Sequence, residues 1–191
     1  MNGLKGLAVC GSLRMGSYNL KLLNIAKYFA EGAGVKVVTA DLRELNLPSY
    51  NFDVEVVGLP EPVKALSAMV KECDILLIAS PEYNYSVSGV LKNALDWVSR
   101  IKPNPFAGKT AAVFGASTGP FGTVRGQNQL RQILTTLNVL VLSQPQVLVA
   151  NAAEAFEADG TPKNREIAER LEILLSKTFE LAGRLKTVPG A

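Results

Sequence analysis

Five short runs of β-branched and aliphatic residues recur along the chain, separated by longer helical patterns, and none of them alternates apolar with polar residues. They are Leu4 to Cys10, Val35 to Ala40, Ile75 to Ala79, Thr110 to Gly115, and Val139 to Val149 with a break near Pro145. A strand that is apolar throughout is buried on both faces, as in a parallel sheet sandwiched by helices. The intervening patterns predict helices over about Asn19 to Glu31, Pro62 to Lys71, Ser88 to Ser99, Thr123 to Leu137 and Asn164 to Leu185. Pro62 suits a first helical position, and a loop through Leu47-Pro48-Ser49-Tyr50 precedes it. The expected fold is α/β, a doubly wound five-stranded parallel sheet, and right-handed crossovers favour the strand order 2-1-3-4-5. With 191 residues, 48% of them hydrophobic, the chain suits one domain over 1–186 and a frayed tail over 187–191.

Histidine is absent. That excludes Ser-His-Asp and Cys-His nucleophile systems, His-ligated zinc and histidine general-base chemistry. Cys10 and Cys73, the two cysteines, have no metal-ligand spacing and read as core thiols. A net charge of +3 without a basic run does not indicate nucleic acid. No apolar stretch reaches the roughly 18 residues of a membrane helix, and no signal-peptide layout opens the chain, so no membrane insertion and a cytoplasmic protein are expected.

In a sheet of this order, ligands bind beyond the carboxyl ends of the strands where the order reverses, between the first and third strands. Three unusual loops adjoin that point. The first, Cys10-Gly11-Ser12-Leu13-Arg14-Met15-Gly16-Ser17-Tyr18-Asn19, joins a strand to a helix through small, hydroxylated residues and one arginine. It reads as a phosphate cradle, because a helix N-terminus presents unpaired N–H groups and hydroxyls with an arginine add matching donors. The other reading is an ordinary turn with Ser17 or Asn19 as N-cap. Gly11 and Gly16 imitate Walker A spacing, but Ser17-Tyr18 stands where Lys-Ser/Thr would follow, so a phosphate monoester is a better guest than a triphosphate. The second loop runs from Ser80-Pro81-Glu82-Tyr83-Asn84-Tyr85 to Gly89, and the third is Ala116-Ser117-Thr118-Gly119-Pro120-Phe121-Gly122. Pro81, Tyr83 and backbone polar groups offer a wall for a flat heteroaromatic ring. Ring and phosphate together suggest flavin mononucleotide, FMN.

On Gly11-Ser12-Leu13-Arg14 through Ser17 and Asn19, Pro81-Glu82-Tyr83-Asn84, Leu91-Lys92-Asn93-Ala94-Leu95-Asp96-Trp97, and Gly115-Ala116-Ser117 with Gly119 and Gly122, the chain resembles the NADPH-dependent FMN reductases. These are flavodoxin-like proteins that include bacterial quinone and chromate reductases. The resemblance implies that Ser12, Arg14, Ser17 and Asn19 hold the FMN phosphate with the backbone of Leu20. It implies that Pro81, Glu82, Tyr83 and Asn84 line the isoalloxazine edge, and that Ser117 and Gly119 approach its pyrimidine end. No catalytic side chain is implied: FMN takes a hydride from NADPH or NADH and passes electrons to a quinone, chromate or similar small acceptor by a ping-pong route. Backbone N–H groups near Ser117 to Gly119 are expected to favour the reduced flavin anion. Family members pair as dimers or tetramers, so Trp97 and Tyr85 are expected near a partner subunit.

Arg100, Arg125 or Lys102 either attract the dinucleotide's phosphates or an anionic acceptor, or are solvated charges. Glu82 is expected to act through its backbone instead of as a general acid. A non-catalytic electron carrier of flavodoxin type is the alternative, against which the positive net charge and Arg14 weigh. A phosphotransfer receiver would need an aspartate where Ser80 stands. A dinucleotide dehydrogenase would need G-x-G-x-x-G after the first strand, so Asp41 reads as a strand-ending turn residue.

Overall fold

The computed structural model describes residues 3–187. Its sheet is built from β1 (Lys5–Cys10), β2 (Lys36–Ala40), β3 (Ile75–Ala79) and β6 (Thr110–Ala116), with two short segments, β7 (Leu140–Val141) and β8 (Val147–Val149). Between them lie α1 (Tyr18–Gly32), α2 (Leu42–Leu45), α3 (Phe52–Val57), α4 (Glu61–Glu72), a hairpin of β4 (Glu82–Tyr83) and β5 (Ser86–Val87), α5 (Gly89–Ser99), α6 (Val124–Thr136), α7 (Ala152–Ala155) and α8 (Arg165–Lys186).

Every pairing in the main sheet is parallel, in the order β2-β1-β3-β6-β7, with β8 also on β6. Leu140 and Val141 lie beside Thr110 and Ala111, whereas Val147 to Val149 lie beside Phe114 to Ala116. The two segments are therefore the lower and upper halves of one interrupted fifth strand. Pro145 stands in the gap, where its missing N–H could not serve a ladder. The order 2-1-3-4-5 expected from the sequence is the order observed.

Alternate residues of each strand feed opposite faces. Ala8, Leu77 and Phe114 pack with Leu22, Ala26 and Ala30 of α1 and with Leu171, Leu174 and Phe179 of α8. Leu7, Leu76, Ile78 and Val113 pack with Leu66 of α4, Leu91 and Val98 of α5, and Leu130 and Leu134 of α6. The buried positions of α1 recur every three or four residues, which is why this segment folds as a helix against the sheet. Burying one leucine contributes about 1.5–3 kcal/mol, so these two layers carry the fold and hold the carboxyl ends of β1, β3 and β6 level.

The elements absent from the sequence expectation are the short ones. The loop before α4 contains α2 and α3, opened by side-chain caps from Asp41 to Arg43 N and from Asn51 to Asp53 N. Asp41 is thus a helix cap at the end of β2. Pro62 occupies the second position of α4 instead of the first. Of the tail expected over 187–191, Thr187 caps α8, and the rest lies outside the described residues.

Trp97 is fully buried, and Nε1 donates to the Pro48 carbonyl at 2.7 Å. Its ring meets Tyr50 edge-on at 5.0 Å, while Asn93 Nδ2 donates to the same Pro48 carbonyl and Asn93 Oδ1 accepts from Tyr50 N. The expectation that Trp97 faces a partner subunit is therefore corrected: with Asn93 it anchors the loop before α3. Lys92 and Asp96 form an i,i+4 surface pair at 2.7 Å.

Candidate active site

The carboxyl ends of β1, β3 and β6 open into a cleft of about 410 Å³. Its walls include Ser12, Arg14, Ser17 and Asn19 from the first loop, Pro81, Glu82 and Tyr83 from the second, and Ser117 from the third, all named from sequence. Tyr18, Ala116 and Thr118 line it as well and were not foreseen. Concavities of about 500 Å³ between β8 and α8 and about 520 Å³ between α1 and α8 contain residues of none of these loops.

The first-loop end of the cleft is rich in unused donors. Ser17 is the N-cap of α1, its Oγ accepting from Asn19 N at 3.2 Å. Lys21 N is taken by the Ser17 carbonyl, but the N–H groups of Tyr18 and Leu20 have no partner among the described residues. The first turn of α1 carries no acidic residue. Ser12 Oγ receives only a long 3.4 Å bond from Arg14 N. The Arg14 guanidinium has no carboxylate partner among the described residues and lies 5.1 Å above the Tyr18 ring. Open N–H groups, two hydroxyls and a free guanidinium on one helix N-terminus make a receptor for an anion. Gly11 lets this loop cross the β3–α5 connection, since a Cβ there would come within 3.0–3.3 Å of Ser88 Oγ, Pro81 Cδ and Leu91 Cδ2.

Asn19 has a different task from the one expected. Its Nδ2 donates to the Ala116 carbonyl at 2.8 Å and its Oδ1 accepts from Ala116 N at 2.9 Å. The side-chain amide is saturated by the end of β6 and pins the first loop to the third. Arg43, unremarked in the sequence, braces the first loop from α2 by donating from Nε to the Leu13 carbonyl at 3.0 Å.

Glu82 also departs from expectation, because its carboxylate and not only its backbone is engaged. Oε2 accepts from Arg125 N and Gly126 N, both at 2.9 Å, and Oε1 lies 3.4 Å from Arg125 Nη1. Thr123, the N-cap of α6, makes no side-chain cap of its own, so Glu82 plugs the N-terminus of α6 from the hairpin. The Arg125 guanidinium stacks between Tyr85 at 3.9 Å and Phe121 at 4.4 Å. It is a structural tie more than a free surface charge. Asn84 and Tyr85 form the hairpin turn with φ of 49° and 68° and do not line the cleft.

In the third loop, Ser117 N donates to the Val149 carbonyl and Gly119 N to Ser117 Oγ at 3.2 Å. Two of the N–H groups expected to face a ligand are thus already paired. Gly119 lies outside the cleft lining, and a Cβ there would make only ordinary contact with Ser117 Oγ, at 3.7 Å. Arg100 ends α5, about 16 Å along the helix from its start. It sits 5.8 Å over the Tyr50 ring. Neither Arg100 nor Lys102 is among the residues that line the cleft. Burial raises the pKa of the half-buried Cys10 thiol at the end of β1 and pushes that of the buried Cys73 up to about 11.

The family model described as NADPH-dependent FMN reductase matches residues 4–154, a stretch that holds all three loops. The chain belongs to the NADPH-dependent FMN reductase family. As a member it is an oxidoreductase with FMN as cofactor and a nicotinamide nucleotide as electron donor. It is 44% identical over 170 residues to an NAD(P)H-dependent FMN reductase of Pseudomonas aeruginosa, covering 87% of this chain and 90% of the relative. It is 41% identical over 189 residues to an NAD(P)H:quinone oxidoreductase of Solanum tuberosum, covering 96% and 95%. Among solved structures, a flavoenzyme NAD(P)H:(acceptor) oxidoreductase from Paracoccus denitrificans superposes with a TM-score of 0.84 at 31% identity, covering 95% of this chain and 98% of that one. The residues present fit an FMN: the open end of α1 suits its phosphate, and Pro81 and Tyr83 suit its ring.

Proposed function

We propose that this FMN reductase carries electrons from NADPH or NADH to a small acceptor, a quinone, chromate or a similar compound, in two successive half-reactions that share one space. The observation that supports this is the pairing, in one cleft, of the open α1 N-terminus with the Pro81–Tyr83 wall. FMN, when bound, supplies the chemistry by taking up a hydride and giving the electrons on.

The chain's own residues bind and orient. Ser12, Arg14, Ser17 and the N–H groups of Tyr18 and Leu20 would take the phosphate, while Asn19 holds this loop against Ala116. Pro81, Glu82 and Tyr83 would line the ring edge, with Asn84 shaping the turn beside them and Ser117 at the pyrimidine end, its Oγ held by Gly119 N from just outside the lining. With no histidine in the chain, histidine acid–base chemistry plays no part, and catalysis rests on positioning. Exposed Phe52, Val56 and Val57 on α3 support a self-associating face, hence a homodimer or tetramer. Among the described residues no helix is long and apolar enough to cross a membrane, and use of NAD(P)H fits action in the cytoplasm.

The test is anaerobic titration of the purified yellow protein with NADPH and with NADH, followed by reoxidation with a quinone or chromate. Rapid bleaching and recovery, with parallel double-reciprocal lines when both substrates vary, is the expected result. Intersecting lines would overturn the two-half-reaction scheme. A flavin that neither nicotinamide nucleotide reduces would overturn the proposed donor.

A further inference from the structure

We infer that Tyr18 is a positioning residue for Arg14, its ring the seat that holds the guanidinium over the anion receptor. The inference rests on the reading of this cleft as the FMN site. Arg14 lies in an exposed loop and has no carboxylate partner among the described residues, and what it meets is the Tyr18 ring at 5.1 Å. A long side chain with nothing to rest on spreads over many rotamers, and binding an anion would then require ordering it. A cation–π contact draws the guanidinium charge to the ring and leaves most of its N–H donors free for phosphate oxygens. The two contacts are therefore compatible in one pose.

The seat is itself fixed. Tyr18 stacks on Phe156 with centroids 5.9 Å apart and planes 11° from parallel. Phe156 is buried in the core layer of α1 and α8, and its backbone bridges to Pro162 across a short excursion after α7. Lys21 Nζ lies 5.9 and 6.0 Å from the two rings and donates to the Glu157 carbonyl at 3.2 Å, tying that excursion to α1. Core, Phe156, Tyr18 and Arg14 thus form one continuous line of contacts. Phe156 lies beyond residue 154, where the family match ends, so the anchor of the cradle sits outside the matched stretch.

The experiment is a double-mutant cycle on the full-length chain, with FMN and riboflavin titrated separately onto the apoprotein and read by flavin fluorescence. Arg14→Ala is expected to weaken FMN by about tenfold or more. Tyr18→Leu is expected to weaken it by roughly two- to fivefold, the worth of an exposed cation–π contact. Tyr18→Phe keeps the ring and is expected to bind as the parent does. In the Arg14→Ala background Tyr18→Leu adds nothing, and riboflavin, which lacks the phosphate, binds all variants alike. An equal Tyr18→Leu loss in both backgrounds, or for riboflavin, overturns the inference by assigning the ring to the ligand or the fold. So does a Tyr18→Leu variant that binds FMN as the parent does while Arg14→Ala does not. Unchanged FMN binding by Arg14→Ala instead overturns the phosphate reading itself. Should Tyr18→Leu not fold, by circular dichroism, Tyr18→Phe decides: a loss beyond twofold transfers the role to the hydroxyl and sinks the ring.

Discussion

The side-chain amide of Asn19 is bonded at both ends to the main chain of Ala116, 97 residues away, through bonds of 2.8 and 2.9 Å. This amide clip joins the start of α1 to the end of β6, so the first and third cleft loops move as one. Asn19→Ala leaves a buried N–H and a buried carbonyl without partners and is expected to destabilise the protein by about 2–4 kcal/mol. Asn19→Asp should be worse, since a carboxylate cannot donate to the Ala116 carbonyl. Chemical denaturation of the FMN-free variants measures both.

Gly115 has no room for a side chain: a Cβ would overlap the Ser80 carbonyl and Thr123 Oγ1. Both neighbours belong to elements that frame the cleft, and neither can move without shifting it. Gly115→Ala is expected to lower stability by about 3 kcal/mol or more. Thermal melts showing a change under 1 kcal/mol would contradict this packing.

Glu82→Gln tests the plug on α6. An amide keeps one acceptor for the N–H groups of Arg125 and Gly126 but loses the charge that favours them, for an expected loss of about 1–2 kcal/mol in unfolding experiments. The variant also removes a negative charge from the cleft lining and leaves Arg125 unpaired. Both changes favour an electron-rich flavin, so the midpoint potential of bound FMN should rise. Equilibration with reference dyes under anaerobic conditions reads the shift, and a fall would refute the assignment.

Cys73 gives a pH signature. Its thiol is pushed up from 9.0 to about 11 by burial, so the folded state holds the proton more tightly than the unfolded state. The resulting stability is fully present below pH 9 and is lost as pH rises toward 11, by about 2–3 kcal/mol. Cys73→Ala should show a shallower decline over that window than the parent, a difference that pH-dependent urea titrations resolve.

The layered fold was legible because runs such as Ile75 to Ala79 and the helical spacing of Leu22, Ala26 and Ala30 are dictated by burial, which the residue types announce. The hairpin of β4 and β5 was not. Its turn is Asn84-Tyr85, where an Asn-Gly pair would have signalled two positive φ angles. Tyr85 adopts that backbone at roughly 1–2 kcal/mol, offset by the Arg125 stack and by Gln129 Nε2 donating to its carbonyl. Residue types also pointed to the cleft, since Ser12, Arg14 and Ser17 converge there. What they could not reveal is who holds whom. Asn19 and Glu82 answer to backbone groups 97 and 43 positions away, and a main-chain N–H carries no sequence signal.

The plug on α6 has a consequence for how a guest lies. At one side of the cleft a helix end is stoppered by the protein's own carboxylate; at the other, the end of α1 stands open. The two sockets are unequal, so a molecule with one charged tip and one flat end can enter in a single orientation. The cleft is keyed: its two unlike ends favour one head-to-tail direction of its occupant.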